Sequence, residues 1–138
     1  MKIIENDFWV FYVGDNVSEL KPNKCGKWMY FFSDMSFVAD ICKKAVEQGV
    51  VREAKHSNAE NGVSCFYLNY DEIENHKKVI SFFIENGLIR QTKTGKYYNI
   101  SFKKDEQTIR GEYGDNYITE LKLSDFVDLN TGKWVTNE

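Results

Sequence analysis

The chain has little that would let a motif name it. It contains one proline, so neither a collagen-like repeat nor a proline-rich linker fits. Cysteine is scarce and odd in number: Cys25, Cys42 and Cys65 are widely spaced and include no Cys-x-x-Cys, which argues against a disulfide framework and a zinc cluster. Three reduced thiols suit a cytoplasmic protein. There is no long apolar run, so no membrane span is expected, and the start Met1-Lys2-Ile3-Ile4-Glu5 does not read as a signal peptide. Neither charge dominates: 18 Lys and Arg stand against 21 Asp and Glu, a net charge of −3. Binding nucleic acid by bulk charge is thereby excluded, although a local basic patch is not. No Gly-x-Gly-x-x-Gly follows a strand and no Gly-x-x-x-x-Gly-Lys-Ser/Thr occurs, so Rossmann and P-loop nucleotide sites have no support.

What is present is apolar and aromatic. Of 138 residues, 42% are hydrophobic and 15% are aromatic, enough for one domain spanning residues 1–138. Phe8-Trp9-Val10-Phe11-Tyr12-Val13 reads as a strand buried on both faces, and Lys27-Trp28-Met29-Tyr30-Phe31-Phe32 as a second. A helix is expected over 36–48, with Phe37, Ile41, Cys42 and Ala45 on one side and Gly49 as its left-handed stop. Val50 to Lys55 and Val63 to Leu68 form a hairpin around the polar cluster 57–62. A second helix is expected over 72–86, with Val79, Ile80 and Phe83 inward and Gly87 closing it. Residues 97–103 alternate, which predicts a half-exposed strand. Beyond them, 108–113 reads as a strand, 121–127 as a short helix or strand, and 133–135 as a short final strand. Paired strands with helices between the pairs predict an α+β fold: a mostly antiparallel mixed sheet backed by two main helices. The expected core includes Phe8, Val10, Met29, Phe31, Ile41, Ala45, Cys65, Val79, Phe83, Ile100 and Phe102.

The strongest charge signal lies late in the chain. Residues 90–110 carry six basic and two acidic side chains, whereas 111–138 carry two and six. The first stretch suits an anion such as phosphate, carboxylate or a nucleic-acid backbone, and the second could neutralise it within the fold. Trp9 and Trp28 lie in aromatic strands and read as core, while Trp134 sits in a polar segment and reads as exposed. Trp28 and Trp134 are the candidate stacking surfaces for a base. Lys55-His56-Ser57 is where a cation, a base and a hydroxyl adjoin. On a regular strand, however, Lys55 and Ser57 share a side and His56 does not.

Three segments together resemble a known family. They are Gly26-Lys27-Trp28-Met29-Tyr30-Phe31, then Ala54-Lys55-His56-Ser57, then Ile100 through Thr108 with Gly111 and Tyr113. In this order they resemble the basophilic-leukaemia-expressed protein family, often labelled a phosphothreonine lyase domain, over roughly residues 25–113. Phe102 stands where that family has tyrosine, and His56 where it often has an apolar residue. The resemblance implies a fold similar to the cap-binding translation initiation factor, a curved antiparallel sheet backed by helices. It also matches Lys27, Lys55 and Lys103 to the family's lysines.

These observations support three expectations. The first is a non-catalytic module binding a phosphorylated small molecule or nucleotide on the open face of its sheet, through Lys27, Lys55, Lys103 and Arg110. No cofactor or metal is called for. The second is a phosphate-directed, lyase-like enzyme using Lys55 and His56. The third is a protein-interaction factor of the kind small bacterial or phage proteins supply when they inhibit a host system by docking on it.

Overall fold

The computed structural model describes residues 1–105 and 121–135. Six strands form one curved, unclosed sheet: β1 (Lys2–Glu5), β2 (Trp9–Val13), β3 (Cys25–Phe32), β4 (Glu53–Ser57), β5 (Gly62–Asn69) and β6 (Lys103–Lys104). Their order across the sheet is β1-β2-β4-β5-β3-β6, and every pairing is antiparallel. Two helices, α1 (Met35–Glu47) and α2 (Ile73–Glu85), complete the α+β architecture.

Local chemistry marks the start of α1 and the end of both helices. The Asp34 carboxylate accepts the Phe37 N–H at 3.2 Å and caps α1. Gly49 and Gly87, at φ 72° and 67°, take the left-handed conformation just past the two helices. The buried stripe of α1 is Val38, Ile41, Cys42, Ala45 and Val46. Together with Val79, Ile80, Phe82 and Phe83 of α2 it packs on the sheet residues Val10, Tyr12, Trp28, Phe32, Ala54, Phe66 and Leu68. Both helices therefore cover the same sheet face.

That arrangement corrects part of the expected core. Phe8 is 75% exposed and Phe31 65% exposed, while Met29 is half-buried. In β3 the residues facing the helices are Gly26, Trp28, Tyr30 and Phe32. The apolar run 27–32 has no alternation of its own, so its phase is chosen by packing: the indole of Trp28 finds a hydrogen-bonding partner inside, and Phe31 does not compete. In the run 8–13, Phe8 is exposed and Trp9–Val13 alternates between half-buried and buried instead of being covered on both faces.

Other boundaries differ as well. β1 was not expected; its residues are exposed, and it is held by pairing Lys2 to Glu5 with Val13 to Val10. The first strand of the hairpin starts at Glu53 rather than Val50, because Val50 and Val51 donate their N–H groups to the Ala45 carbonyl at the end of α1. The expected strand over 97–103 is reduced to β6 and isolated bridges. The Ile100 N–H turns back to the Tyr98 carbonyl, the Tyr97 and Tyr98 N–H groups go to the Leu129 and Arg90 carbonyls, and Ile100 and Phe102 bond with Leu123 and Leu121. Residues Leu123–Asp125 form a short 3₁₀ turn, and Trp134 bridges only to Val127. The expected strand over 108–113 lies outside the described residues.

Candidate functional site

The sheet face turned away from α1 and α2 carries three of the expected ligand-binding residues. Antiparallel pairing puts partnered residues on the same side, so the register orders this face into two rows. One row runs Phe11, Lys55, Cys65, Met29 across β2, β4, β5 and β3. The next runs Val13, Glu53, Tyr67, Lys27, Lys103 and reaches β6. Lys27, Lys55 and Lys103 thus share one face, drawn from three strands.

Each lysine has a different environment. The Lys55 ammonium lies 3.8 Å from the centroid of the Trp9 indole, 5.6 Å from Phe11 and 5.9 Å from Tyr67. This is a cation held against aromatic faces, attracted by their quadrupoles. No carboxylate among the described residues lies within salt-bridge distance of it. Lys27 sits 6.0 Å from the centroid of the same tyrosine and pairs with Asp105 at 2.9 Å. Lys103 is exposed. Burial pushes the Glu53 carboxyl above its usual range, with nearby Lys55 opposing that shift. Burial also raises the Tyr67 phenol and the Cys65 thiol, so both are neutral. The face therefore sets three lysines among aromatic rings, with the Glu53 carboxyl in the same rows and Asp105 on Lys27.

The remaining candidates are placed elsewhere. His56 is 1% exposed and points into the helix side. Its Nδ1–H donates to the Ser57 carbonyl at 2.9 Å, and its Nε2 accepts the Tyr12 hydroxyl at 3.0 Å. Both ring nitrogens are engaged and the ring lies across the sheet from Lys55, so the two do not form an acid–base pair. Trp28 is fully buried, with its Nε1–H on His76 Nδ1 at 3.1 Å and its ring against Phe102 and Phe126. It has no free face for a base. Trp134 is 42% exposed but belongs to the C-terminal segment, outside the six strands. Arg110 lies outside the described residues, as do Thr108, Gly111 and Tyr113.

Sequence reasoning assigned Trp9 to the core, whereas it is half-buried on the lysine face. Its signal was the parity shared by Trp9, Phe11 and Val13, but the unbroken apolar run hid it. Arg90 was also passed over as an individual residue; it lines a groove of about 730 Å³ beside the outer edge of β3, together with Lys103, Phe31 and Tyr98. None of the three cysteines is in a disulfide, and burial raises the Cys25 thiol to about 12 and also raises that of Cys42, which disfavours the nucleophilic thiolate. Among the described residues no cluster of His, Cys, Asp or Glu could hold a metal ion. No helix among them is long and apolar enough to cross a membrane. Neither a family model, a curated protein nor a solved structure matches the chain.

Proposed function

We propose that this protein is a non-catalytic binding module that takes a phosphorylated or nucleotide-like ligand on the sheet face away from its helices. One observation carries the reading: three lysines from three strands stand on one face, beside an indole and, among the described residues, without a carboxylate on Lys55. A phosphate would add the missing counter-charge, and a base would add a flat surface to Trp9 and Phe11. The resemblance to the basophilic-leukaemia-expressed family, and through it to the cap-binding fold, points in the same direction. The lyase reading loses its acid–base pair to the opposite orientations of Lys55 and His56. Residence in the cytoplasm is part of the proposal and is supported by three cysteines that form no disulfide.

The test is calorimetric titration with inorganic phosphate, adenosine triphosphate and 7-methylguanosine triphosphate. At least one should bind. Lys103→Ala should then weaken binding while leaving the melting temperature nearly unchanged, and Lys55→Met should weaken it further. Unaltered affinity in both variants, or no binding by any of the three anions, would defeat the reading.

A further inference from the structure

The outer edge of β3 is only partly used. In an antiparallel ladder, successive residues point their backbone N–H and C=O groups to alternate sides of the strand. The Tyr30 carbonyl accepts the Ser64 hydroxyl of β5 at 2.7 Å, so Tyr30 faces inward. The Cys25 carbonyl accepts the Asp105 N–H at 3.0 Å on the opposite side. Cys25, Lys27, Met29 and Phe31 therefore face outward. Lys27 meets Lys103 of β6, but β6 ends there. Among the described residues, no strand lies opposite Met29 or Phe31.

The chain that would continue β6 turns away for a visible reason. Phe102 is buried beneath Gly26, the Phe102 N–H goes to Leu121, and the Leu123 N–H goes to the Ile100 carbonyl. Segment 98–101 is thereby drawn toward the C-terminal turn. The gap left between it and β3 is the groove of about 730 Å³. Its apolar lining includes Met29, Ile89, Ile100 and the exposed rings of Phe31 and Tyr98. Its charged lining among the described residues is Arg90 and Lys103, with no acid, in a chain whose net charge is −3.

We propose that this groove receives an extended acidic segment of a partner protein, added as a further strand to the outer edge of β3. The backbone of Met29 and Phe31 supplies two N–H donors and two carbonyl acceptors at the two-residue spacing that a strand reads. The partner's alternate side chains would lie over Phe31 and Tyr98. Its carboxylates would meet Arg90 and Lys103, and Arg90 offers the fork geometry that suits a carboxylate. This site borders the lysine–tryptophan face and shares Met29 and Lys103 with it.

The experiment uses a synthetic peptide of alternating valine and glutamate as its probe, against the full chain, with binding read by fluorescence anisotropy and amide hydrogen exchange. The expected result is binding that slows exchange at Met29 and Phe31 by about tenfold or more. The valine–lysine counterpart and the same glutamate peptide with an N-methylated backbone should not bind. Arg90→Glu, a change at an exposed position, should weaken the glutamate peptide by about tenfold or more while leaving exchange in the free protein unchanged. Failure of the glutamate peptide to bind, equal binding by the lysine or N-methylated peptide, or protection confined to other residues would overturn the proposal. So would concentration-dependent protection of Met29 and Phe31 without peptide, which would assign the edge to a second copy of this chain.

Discussion

Trp28 shows how one residue can decide a face. Its indole N–H needs an acceptor once buried, and His76 Nδ1 supplies it while His76 Nε2–H donates to the Tyr70 carbonyl at 2.8 Å. Those two bonds require the neutral ring, and burial holds the His76 pKa below its usual value. The sign follows from linkage: below about 6.5 the unfolded chain binds a proton that the native ring resists, so stability falls as pH drops through that value. Urea midpoints measured at pH 7.5 and pH 5.5 should show this loss in the native protein. They should show less of it in His76→Gln, which cannot titrate. An equal loss in both proteins would assign it to other groups. Trp28→Phe should cost about 1–3 kcal/mol, since it leaves the buried His76 nitrogen unsatisfied and removes indole volume.

At the scale of elements, the contacts between strands and helices matter more than any propensity. Gly26 lies in β3 where a Cβ would meet the Phe102 ring at 2.5 Å and the Lys103 carbonyl at 2.8 Å. Gly26→Ala should therefore destabilise by about 1–3 kcal/mol, visible as a lower urea midpoint, by pushing β6 and Phe102 off the sheet. Phe83 of α2 packs edge-on against Phe66 of β5 at 5.1 Å between ring centroids and is fully buried. Truncating it to alanine should cost about 3–5 kcal/mol in chemical denaturation. A loss below about 1 kcal/mol would mean that this contact does not hold the helix to the sheet.

At the scale of the whole molecule, Arg52 joins three distant pieces of chain. Its guanidinium makes a two-point pair with Glu72, at 2.7 and 2.9 Å, and reaches Glu19 at 3.0 Å. Glu72 begins α2 and also accepts the Asn69 N–H, so the loop before β3, the start of β4 and the entry to α2 meet at one charge. The hydrogen bonds from Arg52 hold the Glu72 carboxyl below its usual pKa. Its stabilising share is present above about pH 4.3 and is lost on acidification below it. Acid unfolding should thus show two separate windows, that of His76 first and that of Glu72 lower. Arg52→Lys, which keeps the charge but loses the fork, should shift the second window toward higher pH when unfolding is followed by circular dichroism.

The sequence alone determined the α+β class, both helices and their glycine stops, and the hairpin around residues 57–62. These follow from local rules: a 3.6-residue period, a capping aspartate, a left-handed glycine and a polar turn. It also determined that Lys55 and Ser57 share a side, because strand parity is a property of the backbone. What it left open was the phase of unbroken apolar runs. Trp9 and Phe31 were as apolar as Val10 and Phe32, so only packing against α1 and α2 chose between them. The pairing order was decided at the same level: Lys27, Lys55 and Lys103 share a face because β5 lies between β3 and β4 and β6 adds beyond β3, an arrangement made by contacts distant in sequence. The shortened strand near residue 100 has the same origin, since a clean alternation could not reveal that Phe102 would be drawn beneath Gly26 and the backbone before it diverted to residues 121–123.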